Sequence, residues 1–335
     1  MTIQELLEAA RSRIAVRDEE LREGRRRRGL TKDALEKEFG GRVYFNGSLE
    51  HEDANDPLTD FDIGVVVPNP GGEFGPGEKS ADELKERARG AIRDALQDEF
   101  PELCVDVVGR KRSVRIRFSS PVSDRAGDFT GDVIVALDHV QNGLWIPRHQ
   151  SWDRSHPEKH TELVHQAQEN TRRVFARAIR LLKHWSSRHD TPLCSWHIKA
   201  LALAAITRPV PLVEALEAFF AHAHAALRDA DTPDPADVGP AIKPRVSRSH
   251  ARDRLATALE LVRAAQDAEA EDRPVLARAK LSALLPEIVD EPSEAELADE
   301  EREHELKRLR AAGNLAGVGL GAGVALASTR AWGYR

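Results

Sequence analysis

Asp60 and Asp62 stand one residue apart and run straight into the apolar segment 63–67, IGVVV. Such a run, rich in valine, reads as a buried strand. Side chains alternate in face along a strand, so residues i and i+2 point the same way. The two carboxylates therefore project together from the start of a buried strand. Held that close they repel each other unless a cation lies between them, and charge beside an apolar run is costly unless it is paired. Hard divalent cations favour such oxygen ligands, and Mg²⁺ commonly takes one or two carboxylates together with substrate phosphates. A strand cap or a turn acid is the ordinary alternative for such a pair.

The residues just upstream favour the metal reading. Gly47 and Ser48 follow a short strand expected over 42–46 and can turn backbone N–H groups toward a phosphate. Eleven residues separate Ser48 from Asp60, a loop long enough to return the chain into a neighbouring strand. A two-metal site wants a third carboxylate from an adjacent strand. Asp132 opens GDVIVAL much as Asp60 and Asp62 open DFDIGVVV, and Asp106 in VDVV competes with it. The intervening HEDAND adds Glu52, Asp53 and Asp56. Extra negative charge beside a phosphate is unfavourable unless solvated, so these acids are expected to face water.

Around this motif the first half alternates helix and strand. A helix is expected over 2–23, with Thr2 and Glu5 at capping-box spacing, and a second over 31–39, stopped by Gly40 and Gly41. The basic run Arg25 to Arg28 between them reads as a solvated helix end, with a nucleic-acid contact as the alternative. A Gly/Pro-rich loop covers 68–78, and an amphipathic helix follows through Leu84, Ala88, Ile92 and Leu96. Strands are expected over 103–108, 113–118 and 132–137, making an α+β region with a mixed sheet. Arg115 and Arg117 share one face of their strand and read as a solvent-facing edge, with a place lining the cleft or contacting an acceptor phosphate as the alternative.

From residue 156 onward helical periodicity dominates. A long helix is expected over 160–185, and others over 193–207, 211–229, 248–269, 274–283 and 293–312. Segment 232–244, TPDPADVGPAIKP, is the clearest internal loop. Ser293 and Glu296 form another capping-box pair. His156, His160, His184 and His197 have no zinc spacing with the cysteines, and His184 reads as a surface or groove residue. The C-terminal AGVGLGAGV lacks a full GxGxxG and follows no expected strand, so it reads as a closely packed terminal segment rather than a dinucleotide site.

Composition narrows the function classes. The net charge of -7 speaks against a broad basic surface for nucleic acid, although a local basic cleft remains compatible with it. The two cysteines, Cys104 and Cys194, are far apart and read as small buried groups in a reducing compartment. The N-terminus has no apolar leader pattern, and the apolar stretch 315–329 is shorter than the ~20 residues of a membrane span. A cytoplasmic protein without a membrane partner is expected.

Gly47-Ser48, eleven residues, then Asp60-Phe61-Asp62 resembles the signature of the polymerase-beta-like nucleotidyltransferase superfamily: a hydrophobic residue, Gly-[Gly/Ser], a spacer of similar length, and Asp-x-[Asp/Glu] on a strand. Segment 152–203 is similar to the helical segment of the CD-NTases, bacterial enzymes akin to cyclic GMP–AMP synthase and oligoadenylate synthase. The likeness rests on Pro157, His160, Asn170, the RLLKHW block of 180–185 and LCSW at 193–196. It covers about residues 40 to 205, and 206–335 match only as an all-helical region. Lys199 departs from it, standing where many relatives carry an acid.

The resemblance implies a polymerase-beta-like mixed-sheet core over 1–150 and an all-helical region over 151–335. It makes Asp132 the third acid and gives Asp60, Asp62 and Asp132 two Mg²⁺ or Mn²⁺ ions. It places Lys183 and Ser195 on the triphosphate with Gly47 and Ser48. Lys is an ordinary point-charge phosphate binder, so the chemistry agrees. The implied activity joins nucleoside triphosphates, ATP among them, into a cyclic di- or trinucleotide messenger for antiphage signalling, with a regulatory protein partner. A nucleotidyltransferase with another acceptor (an RNA 3′ end, a small molecule or a protein), an RNA-activated enzyme, and a catalytically silent nucleotide-binding module are the alternatives.

Overall fold

The computed structural model describes residues 1–109, 112–122, 127–149 and 151–311. The AGVGLGAGV segment and the apolar stretch 315–329 lie outside them. Residues 1–291 form one compact unit, and the rest of the chain a second.

The first unit opens with α1 (Ile3–Arg13), started by the Thr2–Glu5 capping box. The helix expected over 2–23 ends early. At Ala15 the chain bridges to Asn55, and the Ile14 carbonyl accepts the Asp56 N–H. Helix α2 (Asp18–Phe39) then runs unbroken through the basic run to the left-handed Gly40. Gly24 lets this helix pack closely on Leu58, since a β-carbon there would lie 2.8 Å from it.

Arg25 and Arg26 of the basic run are exposed as expected, but its second half corrects the sequence reading. Arg27 is neither solvated nor available to nucleic acid. It is 2% exposed, paired with Glu23 and Asp128, bonded to the Ser120 carbonyl and enclosed by Phe100, Phe118 and Phe129. Arg28 is also buried, against Glu50 and the Phe45 ring. A helix can carry four successive arginines here because buried charges are tolerated when paired.

The sheet follows. Strands β1 (Arg42–Asn46), β2 (Asp60–Val66), β3 (Cys104–Asp106), β4 (Val114–Arg117) and β5 (Thr130–Asp138) stand in the order β1-β2-β5-β4-β3. The β2–β5 pair is parallel and the other pairs are antiparallel. A short helix, α3 (Gly47–Glu50), turns the chain between β1 and the acidic loop, and α4 (Asp82–Leu96) joins α2 over the core face of the sheet. Alternation puts Phe61, Ile63 and Val65 into that core and leaves Asp60 and Asp62 on the opposite face.

Two strands went unforeseen. Strands β6 (Leu144–Arg148) and β7 (Ser151–Ser155) form a hairpin joined to the end of β5. Pro147 and the polar sequence SWDRS hide them, because both lack the usual strand composition.

Helices α5 (Pro157–Asn170) and α6 (Val174–Arg188) replace the single helix expected over 160–185. Arg172 and Arg173, both with positive φ, break it. Helices α7 (Ser195–Ala205), α8 (Leu212–Ala226), α9 (Arg248–Ala270) and α10 (Pro274–Leu284) complete a second core that also takes in Ile3, Leu7 and Ala10 of α1. Fully burying each of Leu181, Leu182 and Trp185 of α6 contributes roughly 1.5–3 kcal/mol against exposure. In the second unit the described residues include α11 (Glu294–Ala311), opened by the Ser293–Glu296 capping box. No helix among the described residues is long and apolar enough to cross a membrane.

Candidate active site

Strand register brings the acids together. Asp62 pairs with Asp132 across the parallel β2–β5 ladder, and Asp60 pairs with Thr130. The row continues on both sides, with Asn46 beside Asp62, Arg115 beside Asp132 and Asp106 beyond Arg115. Asp106 is thereby two strands from Asp132 on the sheet's far side, and it pairs with Arg117 at 2.8 Å. Arg115 corrects the reading of its strand as a solvent-facing edge: β3 covers β4, and Arg115 is half-buried while Arg117 is exposed.

Gly47 turns the chain out of β1 with φ of +78°, and a β-carbon on it would sit 1.8 Å from Asp62 Oδ2. The glycine therefore lets the backbone of α3 meet the carboxylate. Its own N–H is taken by Asn46 Oδ1 at 2.7 Å.

The acids are charged at a cost. Burial, reinforced by Asp60 and Asp132, pushes Asp62 up to about 7. Burial and then Asp132 also raise Asp60, against a hydrogen bond from the Thr59 hydroxyl. The Ser113 hydroxyl donates to Asp132 Oδ1 at 3.1 Å. Raised carboxylates crowded together lack positive charge, which is the chemistry a divalent cation supplies. Among the described residues no three His, Cys, Asp or Glu side chains converge into a ready-made metal cage. The raised Asp60 and Asp62 carboxylates are oxygen donors of the kind Mg²⁺ takes one or two at a time, completing its shell with water and substrate oxygen.

A cavity of about 620 Å³ opens over these residues. Gly47, Ser48, Asp60, Asp62, Lys183 and Ser195 all line it. Asp132 does not, and meets the other two acids through the ladder. Ser195 is the exposed first residue of α7, whose cap is Cys194: its sulfur accepts the His197 N–H. Neither cysteine is the inert buried group expected, since Cys104 donates to Asp106.

Among the lining residues not anticipated as site residues, four stand out for their chemistry. Trp196 presents a half-buried indole beside Ser195, with the His160 ring 4.2 Å from it. Asp234, from the 232–244 loop, holds His160 Nε2 at 2.6 Å. Lys199, whose departure from the family pattern was visible, is buried within α7. His51 is buried, and burial and then Lys199 lower it to about 2, so it is neutral. Aromatic residues abutting a phosphate-type motif are a usable signal for the first; the others depend on distant contacts. Two further histidines, His197 and His184, are structural. His197 bonds Thr232, and His184, expected at the surface or in a groove, is buried against the Pro286 carbonyl.

The acidic loop overturns another expectation. Asp53 is fully buried instead of facing water, and pairs with Lys199 at 2.8 Å and Lys183 at 3.4 Å. Glu52 stays near the surface, paired with Arg173. Arg180 and Lys183 donate to the main-chain carbonyls of Glu52 and Asp53, and Asn55 donates back to the Arg180 carbonyl. The RLLKHW block thus staples the loop to α6.

No protein-family model matches the chain, and no curated protein sequence matches it significantly. Solved structures do. The chain is similar to Escherichia coli MS115-1 CdnC, solved with ATP, at 16% identity and a TM-score of 0.64, over 87% of this chain and 99% of that one. It is similar to the Vibrio cholerae cyclic AMP-GMP synthase DncV at 14% identity and a TM-score of 0.55, over 86% and 87%. It is similar to the Elizabethkingia meningoseptica cyclic dinucleotide synthase CdnE, solved with GTP and Apcpp, at 18% identity and a TM-score of 0.53, over 76% and 97%. The chain shares the fold of these structures, a mixed sheet with helices followed by a helical region.

Proposed function

We propose that this chain is a metal-dependent nucleotidyltransferase that joins nucleoside triphosphates, ATP among them, into a cyclic di- or trinucleotide for antiphage signalling. The supporting observation is the Asp62–Asp132 register with Asp60 at one side of a cavity that also presents Ser48, Lys183 and Ser195. In this reading residues 1–150 act as the catalytic core and 151–335 as the helical part.

Asp60, Asp62 and Asp132 hold two Mg²⁺ or Mn²⁺ ions, which when bound supply Lewis-acid stabilisation of the charge that builds at phosphorus and on the leaving group. Ser48, Lys183 and Ser195 hold the triphosphate, and the Gly47 turn lets it approach the backbone. Trp196 offers a face on which a base stacks. A ribose hydroxyl of a second nucleotide attacks the α-phosphorus. A new P–O bond forms, the α–β bridging bond breaks, pyrophosphate departs and the hydroxyl proton passes to Asp132. The residues contribute chiefly by positioning and by charge.

The test is incubation with all four NTPs and Mg²⁺ or Mn²⁺, with no added acceptor, followed by mass spectrometry. A cyclic product with released pyrophosphate is expected, and none from Asp60→Ala/Asp62→Ala. Undiminished nucleotide consumption by that variant contradicts the reading. Turnover that requires an added RNA, small molecule or protein points to a different acceptor.

A further inference from the structure

Behind the phosphate-facing residues lies a buried charge cluster. Asp53 carries one carboxylate between two lysines, and both lysines line the cavity that Asp60 and Asp62 line. The two lysines are not held alike. Lys199 Nζ lies 2.8 Å from Asp53 Oδ2 and donates to His51 Nδ1 at 2.7 Å. His51 therefore carries its proton on Nε2, which donates to the Thr161 hydroxyl at 3.0 Å. Lys183 Nζ makes its short bond, 2.9 Å, to the neutral Asp53 main-chain carbonyl, with Oδ1 at 3.4 Å. Of the two ammonium groups Lys199 stands nearer the carboxylate, at ion-pair distance, so Lys199 is the chief counterion of Asp53.

We infer that Asp53 and Lys199 are positioning residues that keep Lys183 free for an anion: Lys199 occupies the Asp53 carboxylate, and Lys183 is tethered at a carbonyl without surrendering its charge. This rests on the nucleotide reading of the cavity given above. The physical reason is that a buried carboxylate cannot stand without a counterion. Take away the Lys199 ammonium and the Asp53 carboxylate closes on Lys183, the remaining lysine already bonded to it, neutralising the group that faces the triphosphate. Two cations against one carboxylate leave one positive charge for the cavity, and removing Lys199 leaves none. Removing Asp53 and Lys199 together gives that charge back to Lys183. The buried member of the acidic HEDAND loop is thus part of the phosphate apparatus, although it touches no phosphate itself.

The experiment is calorimetric titration of the full chain with Mg²⁺ and either a non-hydrolysable ATP analogue or AMP, alongside thermal melts. Lys199→Met is expected to weaken the ATP analogue by about tenfold, within the coupling range of contacting charges, and to leave AMP nearly unchanged. Lys199→Met with Asp53→Asn is expected to recover most of that affinity, and Lys199→Arg, which keeps the charge, to bind like wild type. If Lys199→Met does not fold, Asp53→Asn alone decides: Lys183 keeps its carbonyl tether, so triphosphate affinity is retained. Equal losses for ATP analogue and AMP, an unaffected Lys199→Met, a double variant as weak as the single, or a folded Asp53→Asn that has lost triphosphate affinity each overturn the inference. A wild-type protein that binds no ATP analogue overturns the nucleotide reading itself, and the inference with it.

Discussion

A β-carbon on Gly47 would lie 1.8 Å from Asp62 Oδ2, so the turn out of β1 and the second acid of β2 occupy one space that only glycine leaves open. Gly47 also holds φ of +78°, a region that costs an ordinary L-residue about 1–2 kcal/mol. Gly47→Ala is expected to lower stability by at least that amount and to displace the Asp62 carboxylate. A misplacement of that size costs on the order of a hundredfold in rate. Denaturant unfolding and steady-state turnover measure the two effects separately.

Asp62 gives stability a defined pH dependence. Its folded pKa is raised by burial to about 7, above the carboxylate's unfolded value of about 3.9. A raised folded pKa contributes stability that is fully present below the unfolded value and is lost as pH rises through the folded one. The metal-free protein should therefore lose stability between about pH 4 and 7, by an amount on the order of a few kcal/mol. Asp62→Asn should flatten that segment of the profile and be the more stable protein at pH 8. Mg²⁺ should raise the wild-type melting temperature at pH 8 and do so less in the variant. Melting curves across the pH series check all three.

Arg27 predicts a stability effect where the sequence suggests a surface. Its guanidinium is enclosed by three rings and pairs with Glu23 and Asp128. Arg27→Ala takes the cation from half-buried Asp128 and empties the space between three rings, and should cost about 3–5 kcal/mol. Arg25→Ala, one turn face away, should fall within about 0.5 kcal/mol of wild type. Urea titrations distinguish the two.

Trp196 lines the cavity next to Ser195. Base–aromatic stacking is worth about 1–3 kcal/mol, so Trp196→Ala should weaken ATP binding by roughly tenfold to a hundredfold. Trp196→Phe should retain much of the affinity. Equilibrium titration against a fluorescent ATP analogue measures it.

The acidic half of the site was legible because it depends on period and register. Asp60 and Asp62 share a face by strand alternation alone, and Asp132 opens a run so like theirs that parallel pairing aligns them. The helix that Ser195 opens was readable, over 193–207, from periodicity, two residues ahead of its start. Asp53 was not legible. Its burial is decided by Lys183 and Lys199, which lie in helices more than a hundred residues further along the chain, and nothing local marks it as different from Glu52. Arg27 went unread for the same reason, since Asp128 and the phenylalanine rings reach it only in the fold. The β6–β7 hairpin escaped because Pro147 and a polar partner strand carry no periodic signal.

The most direct test is a crystal structure with Mn²⁺ and a non-hydrolysable ATP analogue, using anomalous scattering to locate the metal. The account predicts Mn²⁺ peaks against Asp60 and Asp62, with Asp132 completing the site. It also predicts the triphosphate within hydrogen-bonding distance of Ser48, Lys183 and Ser195. Well-ordered analogue with no metal at these carboxylates, or with its phosphates bound elsewhere in the protein, would contradict it.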